Sequence, residues 1–117
     1  MPDMGRASSF KRMYKNSLHA AFYMYKIAPM KITFDSAKDA ANLRKHGVSL
    51  EAVTGFEWDS ALTWPDERKD YGEARMSGIG YIGLRLFCVA FVDRADARRI
   101  ISLRKANSRE VHRYAET

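Results

Sequence analysis

Cysteine is almost missing from this chain: Cys88 stands alone among 117 residues. One thiol cannot close an intramolecular disulfide, which excludes a disulfide-stapled scaffold and points to a reducing compartment, the cytoplasm. Cys88 lies inside the run RLFCVAFV, so it reads as a small buried hydrophobe rather than a reactive thiol. Long apolar stretches are missing too. The longest, Leu86 to Val92, falls far short of the roughly 20 residues a membrane-spanning helix needs. His19 and His112 stand in no metal-ligand spacing, and the chain offers no zinc set, so no metal and no cofactor is expected. There is no glycine-rich phosphate loop, no nucleophile elbow and no aromatic stripe of the RNA-recognition-motif kind. These absences argue against a nucleotide-hydrolysing enzyme and against that RNA-binding module.

What is present is positive charge, unevenly spread. The formal net charge is +6. Residues 1–29 hold Arg6, Lys11, Arg12, Lys15 and Lys26 against Asp3, a net +4, and the remaining residues carry +2. Within those, charge gathers near the C-terminus: from Arg94 to Arg113 seven Lys or Arg face only Asp96 and Glu110. Such a stretch attracts polyanions, RNA or DNA first among them; a solvated strand edge and helix face is the plainer reading.

The length suits one domain. Residues 1–29 read as a separate extension outside the fold, with an amphipathic helix over about 8–27 as its one structural option. Met30 stands just before the first convincing strand and is a candidate true start, leaving 30–117 as the domain. Lys31 to Phe34 reads as a strand. Ser36 opens the capping-box pattern SAKD of a helix running to about Lys45 and stopped at Gly47. Ala37, Ala40, Ala41 and Arg44 form the side expected to approach the sheet; Lys38, Asn42 and Lys45 form another. Ser49 caps a shorter helix ending near Gly55. Strands are expected at Leu62–Trp64, Arg75–Ile82, Arg85–Val92 and Arg98–Lys105, with a turn at Gly83-Leu84. Gly78 and Gly80 predict a bulge or a close backbone approach. Asn107 and Glu110 cap a last helix ending near Tyr114. The order β-α-α-β-β-β-β-α predicts an α+β domain with a small, mostly antiparallel sheet, two N-terminal helices and one C-terminal helix.

Three segments then carry a resemblance. They are FDxxKxxxNxxKHG (Phe34, Asp35, Lys38, Asn42, Lys45, His46, Gly47), DxRxDYGExR (Asp66, Arg68, Asp70, Tyr71, Gly72, Glu73, Arg75) and RRIISLRKANxREVxRY (Arg98 to Tyr114). In this order and spacing the chain resembles the BrnT toxins, within the RelE-like group of type II toxin–antitoxin ribonucleases. The resemblance covers residues 31–114. It implies a RelE-like fold, metal-independent endoribonuclease activity, growth inhibition through translation, and a cognate BrnA-like antitoxin with a DNA-binding segment, of the ribbon-helix-helix kind. Operator DNA would be reached only through that antitoxin. Two departures are visible: Phe34 where many relatives have Trp, and Leu103 where Ala is frequent. Neither removes an ionisable group.

Metal-free RNA cleavage needs a base for the 2′-hydroxyl, a cation for the phosphorane-like charge and an acid for the leaving 5′-oxygen. Candidates for catalysis are Arg104, Glu73, Arg75 and His46. Arg98 and Arg104, six apart on one strand, are expected on one face, with Ile101 and Leu103 inward. Glu73 would orient Arg75 or act as the base; a surface ion pair is the plainer alternative. His46 has an unperturbed pKa suited to proton transfer, though His46 and Gly47 also fit a plain helix end. Arg98, Lys38, Lys45 and Lys105 are candidates for phosphate contact, and Tyr71 for stacking a base. Tyr114 is an RNA-binding candidate whose helical spacing from Val111 favours packing. The rival functions are a non-catalytic nucleic-acid-binding module and a pure protein–protein assembly unit using the same basic face.

Overall fold

The computed structural model describes residues 31–117. The expectations for residues 1–29, including the helix over 8–27, lie outside those residues. The described elements are β1 (Lys31–Phe34), α1 (Ser36–His46), a 3-10 helix (Leu50–Gly55), a 3-10 turn (Trp58–Ser60), β2 (Leu62–Pro65), β3 (Arg75–Ile82), β4 (Arg85–Arg94), β5 (Ala97–Lys105) and α2 (Ser108–Ala115). The strands form one sheet in the order β1-β5-β4-β3-β2. All neighbours are antiparallel except β1 and β5, which are joined by a crossover and run parallel. The α+β class and the mostly antiparallel sheet are as expected. The second helix is 3-10 rather than α, which suits a segment confined between the Ser49 cap and Gly55.

The cap of α1 lies one residue earlier than expected. Asp35, not Ser36, accepts the Lys38 backbone N–H. Asp39, expected to complete a capping box, instead serves the next element. Its Oδ1 accepts from Ser49 Oγ at 2.9 Å and from the Leu50 N–H at 2.7 Å.

The sequence reading also misplaced the packing face of α1. Ala37, Ala40, Ala41 and Arg44 are exposed, and Asn42 is the buried residue. The reason lies at the sheet edge. β1 pairs with β5 only as far as Phe34 opposite Ile100, so β5 beyond that point lacks a neighbouring strand. The Asn42 amide takes that place: it accepts from the Leu103 N–H at 3.1 Å and donates to the Leu103 carbonyl at 2.7 Å. It also donates to the Val48 carbonyl at 2.8 Å. Asn42→Ala would leave buried backbone groups unpaired and should cost roughly 2–4 kcal/mol. This is read as a lower urea midpoint; a wild-type midpoint would mean that water replaces the amide.

One face of the sheet carries the core. Phe87, Val89 and Phe91 of β4 and Ile100 and Leu103 of β5 pack there with Leu50, Val53, Phe56 and Ala61. Gly78 and Gly80 point to this side, and the close approach expected of them is present. A Cβ on Gly80 would lie 2.6 Å from Phe56 Cζ and 3.1 Å from Ala61 Cβ. Gly80→Ala should therefore lower stability by about 1–3 kcal/mol through overpacking, measurable as a drop in Tm. The bulge lies elsewhere, in β5. Ala90 faces Ser102 and Phe91 faces Ile100, leaving Ile101 as the extra residue.

Candidate functional site

The bulge decides which side chains share a face, because one extra residue reverses the alternation beyond it. Arg98 and Arg104 were expected together; they lie on opposite faces. Arg98 shares the core side with Ile100, which replaces Ile101 as the inward residue. Its guanidinium lies 4.4 Å from the Trp58 ring centre and 4.3 Å from that of Phe91. Asp93 accepts from its Nε at 2.6 Å and its Nη2 at 2.8 Å. A stacked, paired and buried guanidinium acts here as a packing group.

Arg99 takes the place expected of Arg98. By register Arg99 faces Val92, Val92 faces Arg75, and Cys88 faces Arg104, all on the side opposite the core. Four residues of β4 separate the two levels, or about 13 Å along the strand. At the first level Glu73 lies among cations. It accepts from Arg94 Nη2 at 2.6 Å, and Arg94, Arg75 and Arg99 hold its carboxyl below the usual carboxylate range. The expected Glu73–Arg75 partnership is thus long-range only, and Arg94 is the direct partner. Arg94 and Arg99 also line a shallow cleft with Thr33, Asp35 and Ala97. Arg75 stacks on Tyr71 at 3.9 Å. Tyr71 donates its hydroxyl to Asp66 Oδ2 at 3.2 Å, which fixes one ring face against Arg75 and anchors the β2–β3 loop.

At the second level Arg104 donates through Nη1 and Nη2 to the two carboxylate oxygens of Glu110, at 2.7 and 2.8 Å. Glu110 also accepts the Asn107 N–H at 2.9 Å, completing the expected capping box of α2. Chiefly through the Arg104 hydrogen bonds its carboxyl is lowered to about 2, so it is an anion at any working pH. His46 ends α1 one helical turn beyond Asn42, which brings it to the end of β5. Its pKa is lowered from 6.5 by desolvation first, then by the charges of Lys45 and Arg104. Arg104 and His46, separated by 58 positions in sequence, are therefore neighbours electrostatically, and both effects favour the neutral imidazole. Lys45 and Lys105 are exposed at this end. Lys38 is exposed two turns back along α1. Tyr114 packs edge-on against Tyr81 at 5.6 Å and donates to the Ser60 carbonyl at 3.1 Å. Next to it Arg113 lies 3.8 Å from the Trp64 ring centre. These contacts hold α2 over the β2–β3 side of the face.

Cys88 is half-buried beside Glu110 and Arg104, and burial pushes its thiol up to about 11. The raised pKa disfavours the thiolate, although Cys88 is only partly buried and lies on the face away from the core rather than within it. The sequence reading missed three groups here: Arg99, Arg94 and Glu110. Glu110 had been assigned a capping role alone. Arg99 was hidden by the assumption of an unbroken strand.

A small α+β domain whose sheet face opposite the core gathers two groups of arginines around Glu73 and Glu110 presents a surface that attracts polyanions. Residues 34–110 match the model of a family described as the ribonuclease toxin BrnT of type II toxin–antitoxin systems, and the chain belongs to that family. A search among curated proteins finds no match. No helix among the described residues is long and apolar enough to cross a membrane.

Proposed function

We propose that the chain is a metal-independent endoribonuclease that cuts RNA by attack of a 2′-hydroxyl on the adjacent phosphate and so inhibits translation and growth. The single observation that carries this reading is that the Asn42–Leu103 bonds bring the end of α1, with His46, to the end of β5, where Arg104 faces away from the core. His46 takes the 2′-hydroxyl proton as the O2′–P bond forms. Arg104 stabilises the charge gathering on the phosphorane oxygens. The P–O5′ bond breaks, and the leaving oxygen receives a proton from Lys45, the ammonium beside His46. Solvent returns the protons, and the products end in a cyclic phosphate and a 5′-hydroxyl. For Arg104 to reach phosphate, the phosphate oxygens displace the Glu110 carboxylate, an exchange of one bidentate anion for another.

The other level of the face binds rather than cuts. Arg75, Arg94 and Arg99 surround Glu73 about two nucleotides away along the chain direction of β4, an estimate from strand rise. Their role is to hold flanking phosphates, with Glu73 keeping Arg94 in place. Lys38, Lys45 and Lys105 extend the positive surface. The partner is a BrnA-like antitoxin with a ribbon-helix-helix DNA-binding segment, and acidic residues on it would complement the same face. A RelE-like fold, an RNA target and a cytoplasmic setting complete the proposal.

The test is incubation of the full chain with single-stranded RNA in the presence of a chelator, followed by analysis of the new ends. Cyclic phosphate and 5′-hydroxyl ends support the mechanism. RNA left intact by folded protein, with salt-sensitive binding only, would move the reading to a binding module.

A further inference from the structure

The β2–β3 loop carries a guanidinium that none of the steps above uses. Arg68 is built differently from the other arginines of the face. Asp66 accepts from its Nε at 2.8 Å and its Nη2 at 2.8 Å, and accepts its backbone N–H at 3.3 Å. The Asp66 side chain is 2% exposed, whereas that of Arg68 is 81% exposed. A guanidinium has five N–H donors. Asp66 takes two and Tyr71 interacts with the same guanidinium, while the rest of the exposed head faces solvent. Arg104 has its Nη1–Nη2 edge closed by Glu110, and Arg98 is buried. Burying a carboxylate to brace one exposed arginine is a costly arrangement for fold stability alone. It does fix the guanidinium, so little rotamer freedom is left to lose when an anion binds.

Arg68 lines an open cleft with Lys69, Tyr71, Arg75 and Met76; of the carboxylates in the same cleft, Asp66 is engaged by Arg68, Asp70 by the Gly72 N–H and Glu73 by Arg94, with Glu67 beside them. Tyr71 is fixed between Asp66 and Arg75, which makes the loop wall rigid. The charge of Arg68 is also felt at Arg104 and Cys88, which puts its guanidinium on the same side of the sheet as theirs.

We propose that Arg68, braced by the buried Asp66, is a second phosphate-binding group, which grips a backbone phosphate of the RNA next to the one held at Arg104. The proposal rests on the ribonuclease reading for its ligand, and Asp66 acts in it as a positioning residue.

The probe is a single-stranded RNA with 2′-O-methyl groups at every sugar, which binds but has no attacking hydroxyl. Its Kd for the full chain is measured at several salt concentrations. Arg68→Gln should weaken binding about tenfold, the size of one lost charge-assisted hydrogen-bonding pair. The slope of log K against log salt should shrink by about 0.7, the value for one single-strand phosphate contact. With cleavable RNA the loss should fall on KM rather than on kcat. Arg68 is exposed, so this variant should fold. Asp66→Asn supplies the second arm. Charge counting alone predicts tighter RNA binding once an anion is removed, whereas loss of the brace predicts weaker binding. An Arg68→Gln protein with wild-type Kd and slope overturns the proposal, as does wild-type protein that ignores the probe; tighter binding by Asp66→Asn overturns the bracing role. Uncut unmodified RNA alongside normal probe binding would instead refute the ribonuclease reading and leave the Arg68 result standing.

Discussion

Arg104→Ala should abolish growth arrest when the chain is induced in cells and should lower kcat for RNA cleavage about 10²–10³-fold, the usual cost of removing one preorganised donor from a developing oxyanion. The expectation follows from position. Arg104 is the β5 cation that faces away from the core at the level where His46 ends α1. The fold should survive the change. Arg104 is half-exposed, its strand neighbours are held by register with Cys88, and Glu110 keeps its bond from the Asn107 N–H. Circular dichroism and thermal unfolding check that point. Arg104→Lys is the informative companion, since it keeps the charge and loses the two-donor fork. It should recover part of the lost binding and little of the lost rate. A folded Arg104→Ala protein that arrests growth as the wild type does would remove Arg104 from the chemistry and return attention to the Glu73 cluster.

Much of the fold was legible because its signals were local. β1 and β3 have the expected bounds, the Gly83-Leu84 turn falls where the break in β pattern placed it, and the Asn107–Glu110 capping box is present on both sides. Two features were not legible, for one reason: each depends on a partner distant in sequence. The packing face of α1 is set by where β1 stops pairing with β5, a fact about two strands joined by a crossover. Alanines at helical spacing suggested close approach, but the vacant edge at Leu103 called for an amide, and Asn42 supplied it. The face assignment of β5 depended on a bulge. Nothing in RRIISLRK marks Ile101 as the extra residue, since Ile100 and Ile101 are equally apolar. The parity of the residues before it, Arg98 to Ile100, was therefore misread, and Arg98 was expected on the face that Arg99 occupies. The third segment of the resemblance marks the region; the register decides which of its side chains share a face.

His46→Gln should cost about 10²–10⁴-fold in kcat, the range for losing a general base, and the loss should carry a pH signature. Desolvation and the nearby cations hold the imidazole below 6.5, so in the wild type the rate should be flat at neutral pH and fall only on the acid side of that value. Other ionisable groups of the face titrate too far away to imitate this. Glu110 is lowered to about 2, Glu73 lies below 4.5, and Cys88 is pushed up to about 11. The acid limb should vanish in His46→Gln, whose residual rate should run level from pH 5 to 8. His112→Gln, on exposed α2, is the control and should keep the limb. Stability supplies an independent reading of the same group. A histidine whose folded pKa lies below its unfolded value binds its proton more readily when unfolded, so its contribution is complete above 6.5 and is lost as pH falls through the folded value. The wild-type Tm should therefore drop more steeply below pH 6.5 than that of His46→Gln. A variant that loses the excess drop in Tm but keeps the acid limb of the rate would show that His46 is desolvated as described and yet is not the base.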